Sequence, residues 1–108
     1  MEEELLKTMV NRIVDAVAPE RIVLFGSHAR GDARADSDVD LLVIASEPFG
    51  PDHSRFQGYT ALENAMGMIP VATDFLFFSN DEVDRLTGSA THVVAHALRE
   101  GRVVYARS

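Results

Sequence analysis

The chain has 108 residues, 46% of them hydrophobic, and sets 10 Lys plus Arg against 17 Asp plus Glu for a formal charge of −7. That length suits one small domain with one core, residues 1–108, and an acidic surface with scattered basic residues is poorly suited to neutralise phosphates, so no direct nucleic-acid binding is expected. The acidic start MEEELL and apolar runs far shorter than the roughly 18 residues of a membrane span predict a soluble, cytoplasmic protein without signal peptide or membrane contact, and the lack of cysteine excludes disulfides and thiol catalysis.

Residues 2–17 carry a helical stripe of Leu5, Leu6, Met9, Val10, Ile13, Val14 and Val17, with Glu2, Glu3 and Glu4 at the positive end and Pro19 closing it. Arg21 to Phe25 is a β-branched and aromatic run stopped by Gly26, hence a strand; Asp38 to Ala45 reads as a second, and both look buried on two faces. The turn-forming EPFGP at 47–51 precedes Phe56, Tyr59, Leu62, Ala65 and Met66 at helical spacing. Val71 to Phe78 is a third strand with Asp74 set in it. Asn80 is placed to cap a helix through Leu86, Ser89 or Thr91 to start another through Arg99, and Gly101 to end it before a last strand at 102–106. The order predicts an α/β domain, a small mixed sheet with helices packed mainly on one face.

The stretch GSHARGDARADSDVD, residues 26–40, is where chemistry concentrates. Gly26 ends a strand without a side chain and Ser27 adds a hydroxyl, so the following turn can admit phosphate oxygens to backbone N–H groups. Alone, a Gly-Ser pair after a strand is simply a turn. Asp38 and Asp40, however, are i and i+2 on a strand, on one face with Cα atoms about 6.5 to 7 Å apart, where like charges repel unless a cation sits between them. Oxygen-only ligands beside phosphate suit magnesium or manganese, and two such ions can clamp both oxygens of a phosphoryl displacement. Asp74, on an otherwise apolar strand, either joins that cation or sits near the strand end in water. Each carboxylate taken singly reads as a solvated junction or an edge residue; the set together reads as a site.

These residues resemble the minimal nucleotidyltransferases of the DNA polymerase beta superfamily. Gly26-Ser27-His28-Ala29-Arg30-Gly31, five residues, then Ser37-Asp38-Val39-Asp40-Leu41, with Asp74 on a later strand, fill every position of that signature, and ALREGRVVYAR at 97–107 is similar to the ending of the short members. The resemblance implies the polymerase beta palm-like nucleotidyltransferase fold and transfer of a nucleoside monophosphate, AMP foremost, from ATP or another nucleoside triphosphate to a hydroxyl. It implies Asp38, Asp40 and Asp74 as catalytic residues and ligands of Mg²⁺ or Mn²⁺, with Asp74 also helping to deprotonate the acceptor. Gly26 and Ser27 would grip the terminal phosphates, Arg30 would be a charge partner, and Ser37, included among the nucleotide-binding residues, would chiefly cap the turn that aims Asp38. Short members commonly accompany a small all-helical HEPN-domain toxin and act as its antitoxin, in some pairs by adenylylating a toxin tyrosine. The competing reading is a non-catalytic module that neutralises a helical partner by covering it.

Other residues have plainer readings. His92 and His96 are four apart on an expected helix, but HVVAH lacks the Glu of a metalloprotease motif, which favours surface or packing roles. His28 is expected to face solvent, Tyr59 to line the apolar face of its helix, and Phe75, Phe77 and Phe78 to be core.

Overall fold

The computed structural model describes residues 2–108. Helix α1 (Glu3–Val17) starts where the Glu2 carboxylate accepts from the N–H groups of Glu4 (2.8 Å) and Leu5 (3.0 Å), and stops where Ala18 turns left-handed, its N–H donating to Val14 O. Strand β1 (Arg21–Phe25) leads through Gly26 into the single turn α2 (Ser27–Arg30); β2 (Val39–Ala45) follows, then α3 (Arg55–Met66), β3 (Thr73–Ser79), α4 (Asn80–Leu86), α5 (Val93–Glu100) and β4 (Arg102–Ala106). The sheet order is β3-β2-β1-β4, with β2 and β3 parallel and the other pairings antiparallel. The parallel pair is joined by α3, the connection such a pair requires.

Because β1 and β2 are apolar at nearly every position, both faces of the sheet must be covered. Leu6, Met9 and Ile13 of α1 and Leu62 and Met66 of α3 bury one face with Ile22, Leu24, Leu41 and Val43. On the other face Val83 of α4 and Val94 and Ala97 of α5 close over Val23, Leu42 and Ile44. The expected bias to one face therefore holds for the two longest helices, while α4 and α5 form a second, thinner layer that the two-sided apolarity of β1 and β2 demands.

Local chemistry differs from expectation at several ends. Helix α4 is capped by Ser79, whose N–H donates to Glu82 Oε1 at 2.9 Å, and Asn80 instead donates to Glu20. Helix α5 is capped by His92, whose Nδ1 accepts from Val94 N–H at 3.1 Å, while Ser89 Oγ accepts from the N–H groups of Thr91 and His92 in the turn before it. The two histidines are thus a cap and an exposed residue paired with Glu100 Oε2 (3.2 Å), with separate partners. Phe56 lies off the Tyr59–Leu62–Met66 stripe and is 79% exposed. The edge strand β3 is tied to α3 by Tyr59, whose hydroxyl accepts from Phe77 N–H at 2.9 Å above a T-shaped contact of the two rings. Gly58 allows that approach, since a Cβ there would meet the Phe77 ring at 2.1 Å.

Candidate active site

Strand pairing assembles the site at one end of the sheet. Asp40 stands opposite Phe25, the last residue of β1, and opposite Asp74, the second residue of β3. Neighbouring parallel strands lie about 4.8 Å apart and registered residues point to the same face, so Asp40 and Asp74 rise side by side from the sheet. Asp38 sits one residue before β2 begins at Val39 and is exposed, as is Asp74; Asp40 is half-buried between them. The carboxylate on a strand of aromatic residues is therefore tolerated because it stands near the strand start, in water.

Gly26 borders Asp40 directly. Its φ of 73° and ψ of −156° belong to a region open essentially to glycine, and a Cβ there would fall 2.1 Å from Asp40 Oδ2. The missing side chain is thus what lets the turn after β1 press against the carboxylate. The N–H groups of Ala29 and Arg30 donate to Gly26 O at 3.1 and 3.0 Å, whereas those of Ser27 and His28 have no acceptor among the described residues. The turn after β1 and Asp40 are consequently direct neighbours, with Asp74 in register beside them.

The electrostatics match this crowding. Burial raises the Asp40 carboxyl above the ordinary carboxylate range, Asp74 and then Asp38 add to the rise by like-charge repulsion, and His28 and Arg30 oppose it. Asp74, Asp38, His28 and Arg30 therefore all lie close enough to act on Asp40. Among the described residues no three His, Asp or Glu side chains are gathered so that they could hold a metal ion as they stand. The chemistry of the three carboxylates is nevertheless that of donors to a hard divalent cation: all are oxygens, Asp40 is partly desolvated, and Asp38 and Asp74 are exposed.

Ser37 lies where the turn before Asp38 tightens, its Oγ accepting from Arg34 N–H at 2.8 Å. Arg30 spans two carboxylates, Asp32 Oδ2 at 3.2 Å and Glu100 Oε1 at 3.4 Å, which joins the turn to the end of α5. Glu100 was not among the residues singled out in the sequence, since its partner is 70 positions away and nothing local marks it. His28 departs from expectation: it is half-buried, with Nε2 3.1 Å from Ser37 O and Nδ1 buried without a partner, because the ring turns inward against the loop instead of outward to solvent.

The family model described as Polymerase beta, Nucleotidyltransferase matches residues 7–108. The "Putative protein adenylyltransferase MJ0604" of Methanocaldococcus jannaschii is 38% identical over 50 residues, 44% of this chain and 50% of that protein. A second protein of that organism, "Putative protein adenylyltransferase MJ0141", is 54% identical over 28 residues, 26% of this chain and 28% of its own length. The matched stretches thus span half or less of these curated relatives. Among solved structures, a "putative minimal nucleotidyltransferase" is 30% identical with a TM-score of 0.60, 94% of each chain being covered. One chain of a toxin–antitoxin crystal structure with AMP-PNP shares the fold at 19% identity and a TM-score of 0.61, over 94% of this chain and 73% of that one. With the family model matching from α1 to the last residue, and the Gly26 turn and Asp40–Asp74 pair set side by side, the chain belongs to the polymerase beta nucleotidyltransferase family.

Proposed function

We propose that this nucleotidyltransferase moves AMP from ATP to a hydroxyl on a partner protein, a tyrosine of an all-helical HEPN-domain toxin, and so acts as an antitoxin. The observation that carries the reading is the contact of Gly26 with Asp40 while Asp40 stands in register with Asp74, which brings a phosphate turn and a carboxylate pair to one place. The adenylyltransferase names of the two archaeal relatives and the toxin–antitoxin fold neighbour support the choice of nucleotide and of partner.

In this reading Asp38, Asp40 and Asp74 would hold Mg²⁺ or Mn²⁺, which would supply neutralisation of charge on the transferring phosphoryl group. Gly26 and Ser27 offer backbone and hydroxyl donors to the triphosphate, and Arg30 places positive charge beside it, steadied by Asp32 and Glu100. Asp74, exposed beside Asp40, takes the proton of the acceptor hydroxyl as its oxygen bonds to the α-phosphorus and the bond to pyrophosphate breaks. Ser37 keeps the turn that presents Asp38.

The test is to incubate the purified chain with an all-helical HEPN-domain protein from the same genome, ATP and Mg²⁺, and to measure the intact mass of both proteins. A gain of one AMP on the partner, lost when Tyr is replaced by Phe at the modified position and lost with Asp40→Asn, is the expected result. Partner neutralisation by Asp40→Asn without any mass gain would replace the enzymatic reading with the covering module.

A further inference from the structure

The segment between the phosphate turn and the aspartates is an exposed loop made of two locally bonded halves. In the first, Gly31 and Asp32 N–H both donate to Ser27 O, at 3.0 and 3.1 Å. In the second, Ser37 N–H donates to Arg34 O at 3.1 Å and Arg34 N–H to Ser37 Oγ at 2.8 Å. Gly31, Asp32, Arg34, Ala35 and Asp36 are all exposed, so burial does little to fix one half against the other. Among the described residues one hydrogen bond joins them: His28 Nε2 to Ser37 O, at 3.1 Å across nine positions.

We infer that His28 is a positioning residue, a latch whose Nε2–H fixes the loop carrying Asp38 relative to the Gly26–Ser27 turn. The inference rests on the reading of those residues as the transfer site. A carbonyl oxygen only accepts, so Nε2 carries a proton, in the neutral ring as in the charged one, and Nδ1 is left as a polar atom in need of its own partner. That Nδ1 is buried without a partner. A phenyl ring would fill the same place with no orphaned polar atom, so packing alone gives no reason for an imidazole here. What the imidazole supplies, and the phenyl would not, is the donor to the residue immediately before Asp38.

Two variants separate the bond from the volume. His28→Phe keeps a planar ring and loses the donor; His28→Gln loses the ring and keeps an N–H at comparable reach. The first readout is amide hydrogen exchange in the metal-free chain, which needs no catalysis. We expect His28→Phe to speed exchange at residues 33–38 by about tenfold while β1 and β2 are unchanged, and His28→Gln to stay within about threefold of the parent. The second is steady-state transfer with ATP and Mg²⁺. His28→Phe should lower kcat by roughly 10²-fold with little change in KM, as expected when reacting groups are misplaced by about 1 Å, and His28→Gln should restore most of it. Parental exchange and kcat in His28→Phe would overturn the latch, as would equal damage from both variants, which would mean that ring shape matters and the bond does not. If the parent transfers no nucleotide, the site reading fails, and the exchange measurement still decides whether the latch exists.

Discussion

Gly26→Ala strikes the site at its narrowest point, and Gly31→Ala supplies its control. Both glycines have positive φ, 73° and 85°, but a Cβ at Gly31 meets nothing within 4 Å whereas one at Gly26 lies 2.1 Å from Asp40 Oδ2. The Gly31 conformation, with ψ of 12°, is left-handed helical and costs a non-glycine residue about 1–2 kcal/mol. That of Gly26 costs about 1–3 kcal/mol in backbone strain alone. In addition, the Asp40 carboxylate must retreat by about 1.3 Å to reach ordinary contact at 3.4 Å, and misplacement on that scale reduces turnover by roughly 10²-fold. Thermal melting and nucleotide transfer measured in parallel therefore separate the two effects. Each kcal/mol should appear as roughly 4–8 °C in Tm for a domain near this size. Gly31→Ala should melt lower yet transfer normally, while Gly26→Ala should melt lower and lose roughly 10²-fold in transfer. Transfer by Gly26→Ala within about threefold of the parent would refute the reasoning, because the contact with Asp40 would then have no chemical meaning.

Asp40→Asn should abolish transfer and yet raise the Tm of the metal-free protein at neutral pH. Burial and the neighbouring aspartates raise the folded-state pKa of Asp40, so over the window from that value down to the ordinary 3.8 the folded chain binds more proton than the unfolded one and stability falls as pH rises; the gain from Asn should fade as pH drops through that window. Mg²⁺ with ATP should raise the Tm of the parent, by the equivalent of about 2.7 kcal/mol at a hundredfold excess over Kd, and no shift at millimolar Mg²⁺ with saturating ATP would remove the metal from the site. Gly58→Ala should destabilise by about 1–3 kcal/mol in denaturant titration despite the better helix propensity of alanine, because the new Cβ would fall 2.1 Å from the Phe77 ring and push it out of its edge contacts with Phe49 and Tyr59. Tyr59→Phe should cost about 1–3 kcal/mol by leaving the Phe77 N–H without its acceptor, checked by the same titration.

The strands and helices were legible because their patterns are strong. RIVLF and the run from Val39 to Ala45 are apolar on both faces, and the α1 stripe repeats for four turns. The meeting of Asp40 with the Gly26 turn was legible because the motif is local. The register of Asp74 against Asp40 was not, since it depends on how the parallel β2–β3 pair aligns across the whole of α3. The second helical layer is implied by Val23, Leu42 and Ile44, but nothing in the sequence says which helices cover them. His28 was misread because a polar residue in a short turn usually faces water; only the position of Ser37 O, nine residues on, turns it inward. Caps at Ser79 and His92 moved by one residue or more from expectation because several capping residues stand adjacent, and packing selects among them.

The Tyr59 hydroxyl on Phe77 N–H bears on how other chains can meet this one. Strand β3 is an edge, and edges invite the backbone of a neighbour to extend the sheet. Here a donor that such a neighbour would need is already engaged, and α3 lies alongside it, so the margin of the sheet that carries Asp74 is a poor template for aggregation or strand exchange. Under the proposed function, a partner protein would be left to present its hydroxyl as a single protruding side chain. That suits a reaction in which the acceptor must arrive, react and depart, since it keeps the doorway to the carboxylates from becoming a permanent seam.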